Sequence, residues 1–205
     1  MAEPAWAALP LFPLRTVLFP GGVLALKVFE ARYLDLVSRC LRTQQPFGVV
    51  LVADGPEAGA GRVQLESVGT LAHLADVDGD QPGILRVRCT GGHRFRLLGA
   101  AAQQPGGLWQ AAAEAIADDP PALPAPAMQA TVEALAQAIE SLRAQGVLPF
   151  AEPFRLDDAG WVANRWCELL PVPMAAKQRL MALEEPAVRL SLVDEFLRSK
   201  QVIGP

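Results

Sequence analysis

The chain has 205 residues, of which 51% are hydrophobic and 20% are charged, and its formal net charge is −4. This balance excludes an intrinsically disordered chain, and the length allows one large domain or two small ones. The negative net charge provides no overall positive field that would attract nucleic acid.

The N-terminal segment has none of the basic residues that begin a signal peptide, and the apolar runs are far too short to span a bilayer. Cys40, Cys89 and Cys167 are widely spaced within apolar segments, which is typical of buried free thiols in a reducing compartment. We therefore expect a cytoplasmic protein with no membrane partner.

The first half of the chain alternates glycine and proline turns with short apolar runs. The runs at 9–14, 17–19 and 23–29 predict strands, and a Pro-Gly-Gly sequence between the last two predicts a tight turn. Apolar residues at helical spacing over 30–41 predict a helix. The β-branched run at 47–52 predicts a central strand that is buried on both faces.

Further strands are predicted at 63–65 and 68–74, and a closing strand at 109–116. Three glycines within 55–61 predict a loop, and the acidic segment 76–81 predicts a turn. Six or so strands with one inserted helix indicate a small, partly closed β-barrel.

The sequence Thr-Gly-Gly-His at 90–93 predicts a tight hairpin loop between strands at 84–89 and 94–98. In that register Cys89 would pair with Phe95 on one face, and the other face would be basic. The arginines expected on this basic face are Arg86, Arg88, Arg94 and Arg96.

The proline-rich stretch 118–127 separates this β-rich half from a helical one. It has four prolines within seven positions, which favours an extended connector. After it, apolar periodicity predicts four amphipathic helices with short connections, as in a helical bundle. We therefore expect an α+β chain with a β-barrel subdomain at 1–117, a linker at 118–127 and a bundle at 128–205.

Motifs for catalysis, cofactors and metals are missing from the sequence. There is no phosphate-binding GxxxxGK[ST] loop, no dinucleotide fingerprint and no GxSxG elbow, and the histidines and cysteines are too scattered for a zinc site. The segment 76–80 begins like a calcium loop, but Val87 stands where the bidentate glutamate is required. We expect no catalytic residue, no metal, no cofactor and no enzymatic activity.

The run at 9–33, LPLFPLRTVLFPGGVLALKVFEARY, resembles the opening of the N-terminal substrate-binding domain of Lon-type ATP-dependent proteases. Similar elements are VGTLA at 68–72, GHRFR at 92–96, and LLPVP at 169–173 followed by Lys177-Gln178. The resemblance covers residues 8 to 197. It implies a PUA-like β-barrel with one inserted helix, followed by a C-terminal helical bundle.

The chain departs from the family pattern at Ala31, where proline is frequent, and in its proline-rich stretch. In Lon proteases an ATPase module and a Ser-Lys peptidase domain follow this region, whereas the present sequence ends at Pro205. The resemblance therefore implies a stand-alone recognition part.

The first functional hypothesis is a non-enzymatic module that binds unfolded or specific polypeptide segments. Such a site needs exposed apolar surface or an edge strand with polar anchors. The candidate residues are Leu18, Phe19 and Pro20 next to the predicted Pro-Gly-Gly turn, and Trp161 as an interface anchor.

Two alternatives remain open. The first is RNA binding by the predicted arginine face, against which the acidic net charge and the scarcity of neighbouring aromatic residues weigh. The second is an adaptor or regulator that acts on another protein, such as a separate protease.

Overall fold

The computed structural model describes residues 5–54 and 63–204, and the loop predicted at 55–61 lies outside these ranges. The chain divides into an N-terminal unit, Met1–Ala117, and a C-terminal unit, Asp118–Pro205. The described elements of the N-terminal unit are β1 (Ala5–Leu14), β2 (Val23–Val28), α1 (Ala31–Thr43), β3 (Phe47–Asp54), β4 (Gln64–Leu65), β5 (Val68–Gln81), β6 (Ile84–Leu97), β7 (Ala102–Gln103) and β8 (Trp109–Ala115).

The strand pairings of the N-terminal unit form a closed cycle. β1 pairs in parallel with β3 and antiparallel with β8, β3 pairs with β5, β5 with β6, and β6 with β8. β2 extends the sheet beyond β6, whereas β4 and β7 are short additions to β3 and β8. The fold is thus a mixed α+β arrangement with a sheet of eight described strands.

Two apolar clusters stabilise the N-terminal unit. One contains Leu11, Phe95 and Ala113, which come from three different strands of the cycle. The other lies between the sheet and α1, where the ring of Tyr33 stacks on that of Phe12 with 3.8 Å between centroids. Burial of this apolar surface, more than intrinsic propensity, stabilises the helix predicted at 30–41.

The acidic turn predicted at 76–81 is wrong, because β5 continues to Gln81 and pairs with β6 along this stretch. The chain reverses instead at Gly83, whose φ of 79° is readily adopted only by glycine.

The hairpin predicted at 84–98 is also wrong, because Ile84–Leu97 is one continuous strand. The Gly91 N–H donates to the Gly22 carbonyl at 2.8 Å, and the Gly91 carbonyl accepts from the Gly21 N–H at 2.8 Å. A Cβ at Gly91 would collide with the carbonyl oxygen of Phe19. The glycines therefore permit close approach of two backbones and form no turn.

The C-terminal unit is helical. A 3-10 turn at Pro126–Met128 leads into α2 (Gln129–Ala144), followed by α3 (Ala159–Leu169), α4 (Met174–Ala182) and α5 (Pro186–Ser199). The helix α3 is the most enclosed of these, since every residue from Ala159 to Cys167 is buried. Asp158 caps it by accepting from the backbone N–H groups of Gly160 and Trp161.

The residues that precede the 3-10 turn have no regular structure but contact the helices. The Asp119 carboxylate pairs with Arg189 of α5, and the Ala122 carbonyl accepts from the Ala159 N–H at 2.8 Å. Within the described ranges, no helix is both long enough and apolar enough to cross a bilayer.

Candidate functional site

The predicted peptide-binding turn contributes to the interior of the N-terminal unit. Leu18 is 4% exposed and Phe19 is fully buried, while Pro20 is partly buried. The Thr70 hydroxyl donates to the Leu18 carbonyl at 2.6 Å, which holds this segment against β5. The expectation of exposed apolar side chains at Leu18 and Phe19 is thus corrected, because their burial completes the core.

Trp161 is buried as well, so its expected exposure as an interface anchor is corrected. Its ring packs edge-on against Phe150 and near Phe154, and the Arg165 guanidinium lies 5.7 Å from it. Trp166 is also buried and donates from Nε1 to the Thr131 carbonyl at 3.0 Å. Both indoles therefore belong to the core of the C-terminal unit.

The four arginines of the predicted basic face are dispersed along β6. Arg86 and Arg88 are exposed and stand in register with Asp78 and Asp76 of β5, so each has an acidic neighbour. Arg94, by contrast, is buried.

Arg96 lies beyond Arg94 and approaches Glu114 at 3.9 Å. Between the paired residues Gly91 and Arg94, β6 has one residue more than β5, which is a bulge. Because a bulge changes the alternation of faces, the regular hairpin spacing used for the sequence prediction does not apply.

A groove of about 490 Å³ in the C-terminal unit is lined almost entirely by apolar residues. Its walls come from α4, from α5 and from the segment before α4, and Arg179 is the charged residue among those that line it. The apolar side chains that form it include Leu170, Pro173, Leu180, Leu192, Val193 and Phe196. We call this feature the α4–α5 groove.

Two polar anchors position the helices that form the α4–α5 groove. Lys177 of α4 donates from Nζ to the Glu168 carbonyl of α3 at 2.9 Å, and Arg165 pairs with the Glu168 carboxylate at 3.1 Å. Burial raises the pKa of Glu168 to about 7, although the charges of Arg165 and Lys177 lower it. The Arg189 guanidinium of α5 donates to the Leu180 carbonyl of α4 at 2.8 Å, which ties the two walls together.

The sequence predicted an amphipathic helix here, but it did not show that the apolar residues of α5 lie on two faces. The structure divides them, because Leu190, Val193 and Leu197 are buried whereas Val188 and Leu192 are 49% and 45% exposed. Val188, Leu192 and Phe196 follow one another at intervals of four residues and form a second apolar stripe, of which Leu192 and Phe196 line the groove, so this spacing is a signal that could have identified part of its wall.

The three cysteines are buried, unpaired thiols, as expected. Burial raises the pKa of Cys89, and of Cys167, to about 12, and it also raises the pKa of Cys40. Because the thiolate is the nucleophile, none of these groups is activated for nucleophilic catalysis. Among the described residues, no group of histidines, cysteines and carboxylates is arranged to hold a metal ion.

We expect the native protein to resist alkylation by iodoacetamide at about pH 8, with labelling at least about 100-fold slower than in urea, because burial and raised pKa values remove the reactive thiolate. Mass spectrometry of the intact chain measures this directly. Three adducts should form once the chain is unfolded. Labelling of any cysteine in the native protein at the rate found in urea would contradict this burial.

Comparison with known proteins identifies a family over almost the whole chain. The family model described as the ATP-dependent protease La (LON) substrate-binding domain matches residues 8–199. The Lon protease of Anaeromyxobacter dehalogenans (strain 2CP-C) is 30% identical over 96% of this chain and 24% of its own length. Lon protease 2 of Myxococcus xanthus is 28% identical over 95% of this chain and 24% of its own length. The chain thus spans about a quarter of the length of these relatives.

Solved structures agree with the family match. The crystal structure of a Lon N-terminal domain protein from Xanthomonas campestris has a TM-score of 0.73 and 31% identity, and the match covers 92% of this chain and 97% of that one. The N-terminal domain of the Mycobacterium avium complex Lon protease has a TM-score of 0.60 at 17% identity, with 92% and 96% covered, and is similar in fold.

Proposed function

The chain belongs to the family of LON substrate-binding domains, and from this premise we propose that it is a non-enzymatic module that binds polypeptide segments through the α4–α5 groove. The observation that carries the proposal is the groove itself, an apolar concavity with a single arginine among its lining residues. Binding of a peptide requires apolar surface that can be desolvated, together with a polar group that orients the chain.

The chemistry of the groove favours an apolar segment of a polypeptide. Leu192 and Phe196 lie one turn apart on α5 and offer apolar surface, whereas Arg179 can donate hydrogen bonds to a main-chain carbonyl or a carboxylate. Burial of one leucine contributes about 1.5–3 kcal/mol, so each apolar side chain placed in the groove strengthens binding about tenfold or more.

The proposal also includes the architecture of the two units, a β-barrel and a helical bundle. The closed cycle of pairings supports a small PUA-like β-barrel in the N-terminal unit, and the helices α2 to α5 support a bundle in the C-terminal unit. The three buried, unpaired thiols support a reducing compartment such as the cytoplasm.

RNA binding by β6 has less support, because Arg94 is buried and the exposed Arg86 and Arg88 stand beside carboxylates.

The groove is tested by charge insertion at its wall. We expect Leu192→Glu to weaken binding of a dye-labelled unfolded peptide at least about tenfold, because the substitution removes apolar contact and places a charge in the groove. Fluorescence anisotropy of the labelled peptide, titrated with protein, measures the affinity.

Val188→Glu is the matched control, because Val188 is one helical turn earlier, is similarly exposed and does not line the groove. It should change the affinity by less than about twofold, which corresponds to about 0.4 kcal/mol. Peptide binding that is not saturable up to about 100 μM, or equal losses in the two variants, would remove the proposal for this groove.

A further inference from the structure

A pocket of about 320 Å³ lies between α1 and the loop that joins β7 to β8. Arg32 of α1 donates from Nη1 to the Gly107 carbonyl of this loop at 2.9 Å. Two backbone hydrogen bonds close the loop, from the Gly107 N–H to the Gln104 carbonyl and from the Gln104 N–H to the Leu108 carbonyl. The two walls are therefore tied together, and the pocket is formed by the N-terminal unit alone.

Arginines dominate the charge of this pocket. Arg39 follows Arg32 by seven residues and precedes Arg42 by three, so all three project from one face of α1. Asp35 is the one acidic residue in the lining, and Glu30 pairs with Arg32 beside it, so the three arginines exceed these two carboxylates by one positive charge. We call this feature the α1 arginine pocket.

The arginines differ in their partners. Arg32 forms an ion pair with Glu30 at 2.6 Å. In the described part of the chain, neither Arg39 nor Arg42 has an ion-pair partner. An unpaired surface arginine is ordinary, but two of them beside a third in one pocket repel each other unless an anion is bound.

Two guanidinium nitrogens near the pocket are buried without a hydrogen-bond acceptor. They are Nη2 of Arg39 and Nε of Arg32. A buried donor of a charged group that lacks an acceptor costs at least about 1–3 kcal/mol, so such groups call for an explanation. An oxyanion in the pocket, which Arg39 and Arg32 both line, would supply acceptors for guanidinium groups of this kind.

We propose that the α1 arginine pocket binds a phosphate-type oxyanion. Guanidinium forks bind phosphate oxygens in pairs, and a phosphomonoester has three strong acceptor oxygens and about −1.5 to −2 charge at neutral pH, so one group can accept from more than one guanidinium. A carboxylate has only two acceptor oxygens and a single negative charge. The volume lies at the lower end of the range of small-ligand pockets, about 300–1,000 Å³, so the ligand is free phosphate or one phosphorylated side chain.

Calorimetric titration of the full chain with inorganic phosphate tests the site. We expect saturable binding with a Kd of about 1 mM or tighter, and we expect Arg39→Gln to weaken it at least about tenfold because one charged fork is lost. Arg42→Gln, at an exposed position, should also weaken phosphate binding. If Arg39→Gln proves unstable in thermal unfolding, the loss of phosphate binding in Arg42→Gln tests the site instead.

Arg88→Gln is the matched control, since it removes the same charge from an exposed arginine of the same unit outside this pocket. It should leave phosphate binding within about twofold of the parent, about 0.4 kcal/mol. Absence of saturable binding up to about 10 mM phosphate, or an equal loss in Arg88→Gln, would overturn the assignment.

A phosphoserine peptide and its unphosphorylated counterpart separate the two sources of the oxyanion. Affinity for the phosphopeptide at least about tenfold above that for inorganic phosphate, and lost in Arg39→Gln, supports a polypeptide-borne group. Equal affinities support the free anion. The α4–α5 groove contains neither Arg39 nor Arg42, so failure of this proposal is distinguishable from failure of peptide binding there.

Discussion

Substitution of Arg189 by methionine is expected to lower the free energy of unfolding of the C-terminal unit by about 4 kcal/mol. Arg189 is 1% exposed, and its guanidinium donates from Nη1 to the Asp119 carboxylate at 2.6 Å and to Asn164 at 3.0 Å. It also donates to the backbone carbonyls of Leu180 and Leu183.

The expected loss is large because methionine fills the space of the arginine stem but removes every hydrogen bond that Arg189 donates to these acceptors. Removal of one partner from a buried ion pair typically costs about 3–5 kcal/mol, mostly because the other charge stays unpaired. Urea denaturation followed by tryptophan fluorescence measures the loss in a background with Trp6 and Trp109 replaced by phenylalanine, because Trp161 and Trp166 then report on the C-terminal unit alone.

Arg143→Met provides the contrasting case. Arg143 is exposed and pairs with the exposed Glu152 at 3.5 Å, an arrangement that contributes less than about 1 kcal/mol. If the two variants lost stability equally, Arg189 would not be the buried connection between the proline-rich stretch, α3 and α5 that the structure describes.

Substitution of Gly91 by alanine is expected to destabilise the N-terminal unit by about 3 kcal/mol. The added Cβ would collide with the Phe19 carbonyl oxygen, which is backbone and cannot rotate away. Relief would require β6 to move from the 21–22 turn and would weaken the hydrogen bonds between Gly91 and these two glycines. Chemical denaturation followed by circular dichroism measures the loss.

Gly79→Ala is the matched control, because a Cβ at Gly79 of β5 meets no atom within 4 Å among the described residues and its φ is not positive. This variant should stay within about 1 kcal/mol of the parent. The pair of variants also discriminates between the two interpretations of the Gly-Gly sequence. In an open hairpin loop both substitutions would be mild, so equal small effects would argue against a continuous β6.

Local patterns in the sequence were sufficient for the helical elements and for the family. The apolar spacing over 30–41 predicted α1. A helix that packs on a sheet must present one apolar face, and this periodicity can be recognised in the local sequence alone. Residues 9–33 carry the motif that resembles Lon domains, and the family match confirms that resemblance.

The sequence could not decide between two uses of the same residue type. Adjacent glycines permit a turn with positive φ, and they equally permit close approach of another backbone, as at Gly91. Which of the two occurs depends on whether a distant segment, here the turn around Phe19, packs against the strand. The bulge beside it likewise changed which arginines share a face, because one extra residue alters the alternation.

Tertiary packing also determined which of the candidate site residues are exposed, because exposure depends on distant segments of the chain. The sequence by itself determined which residues are apolar and how they are spaced, so it could not distinguish Leu18, Phe19, Trp161 and Leu192 by their exposure. Packing buried the first three and left Leu192 half exposed beside α4. Exposure is a property of neighbours from other parts of the chain, and one-dimensional periodicity contains no information on which apolar face remains uncovered.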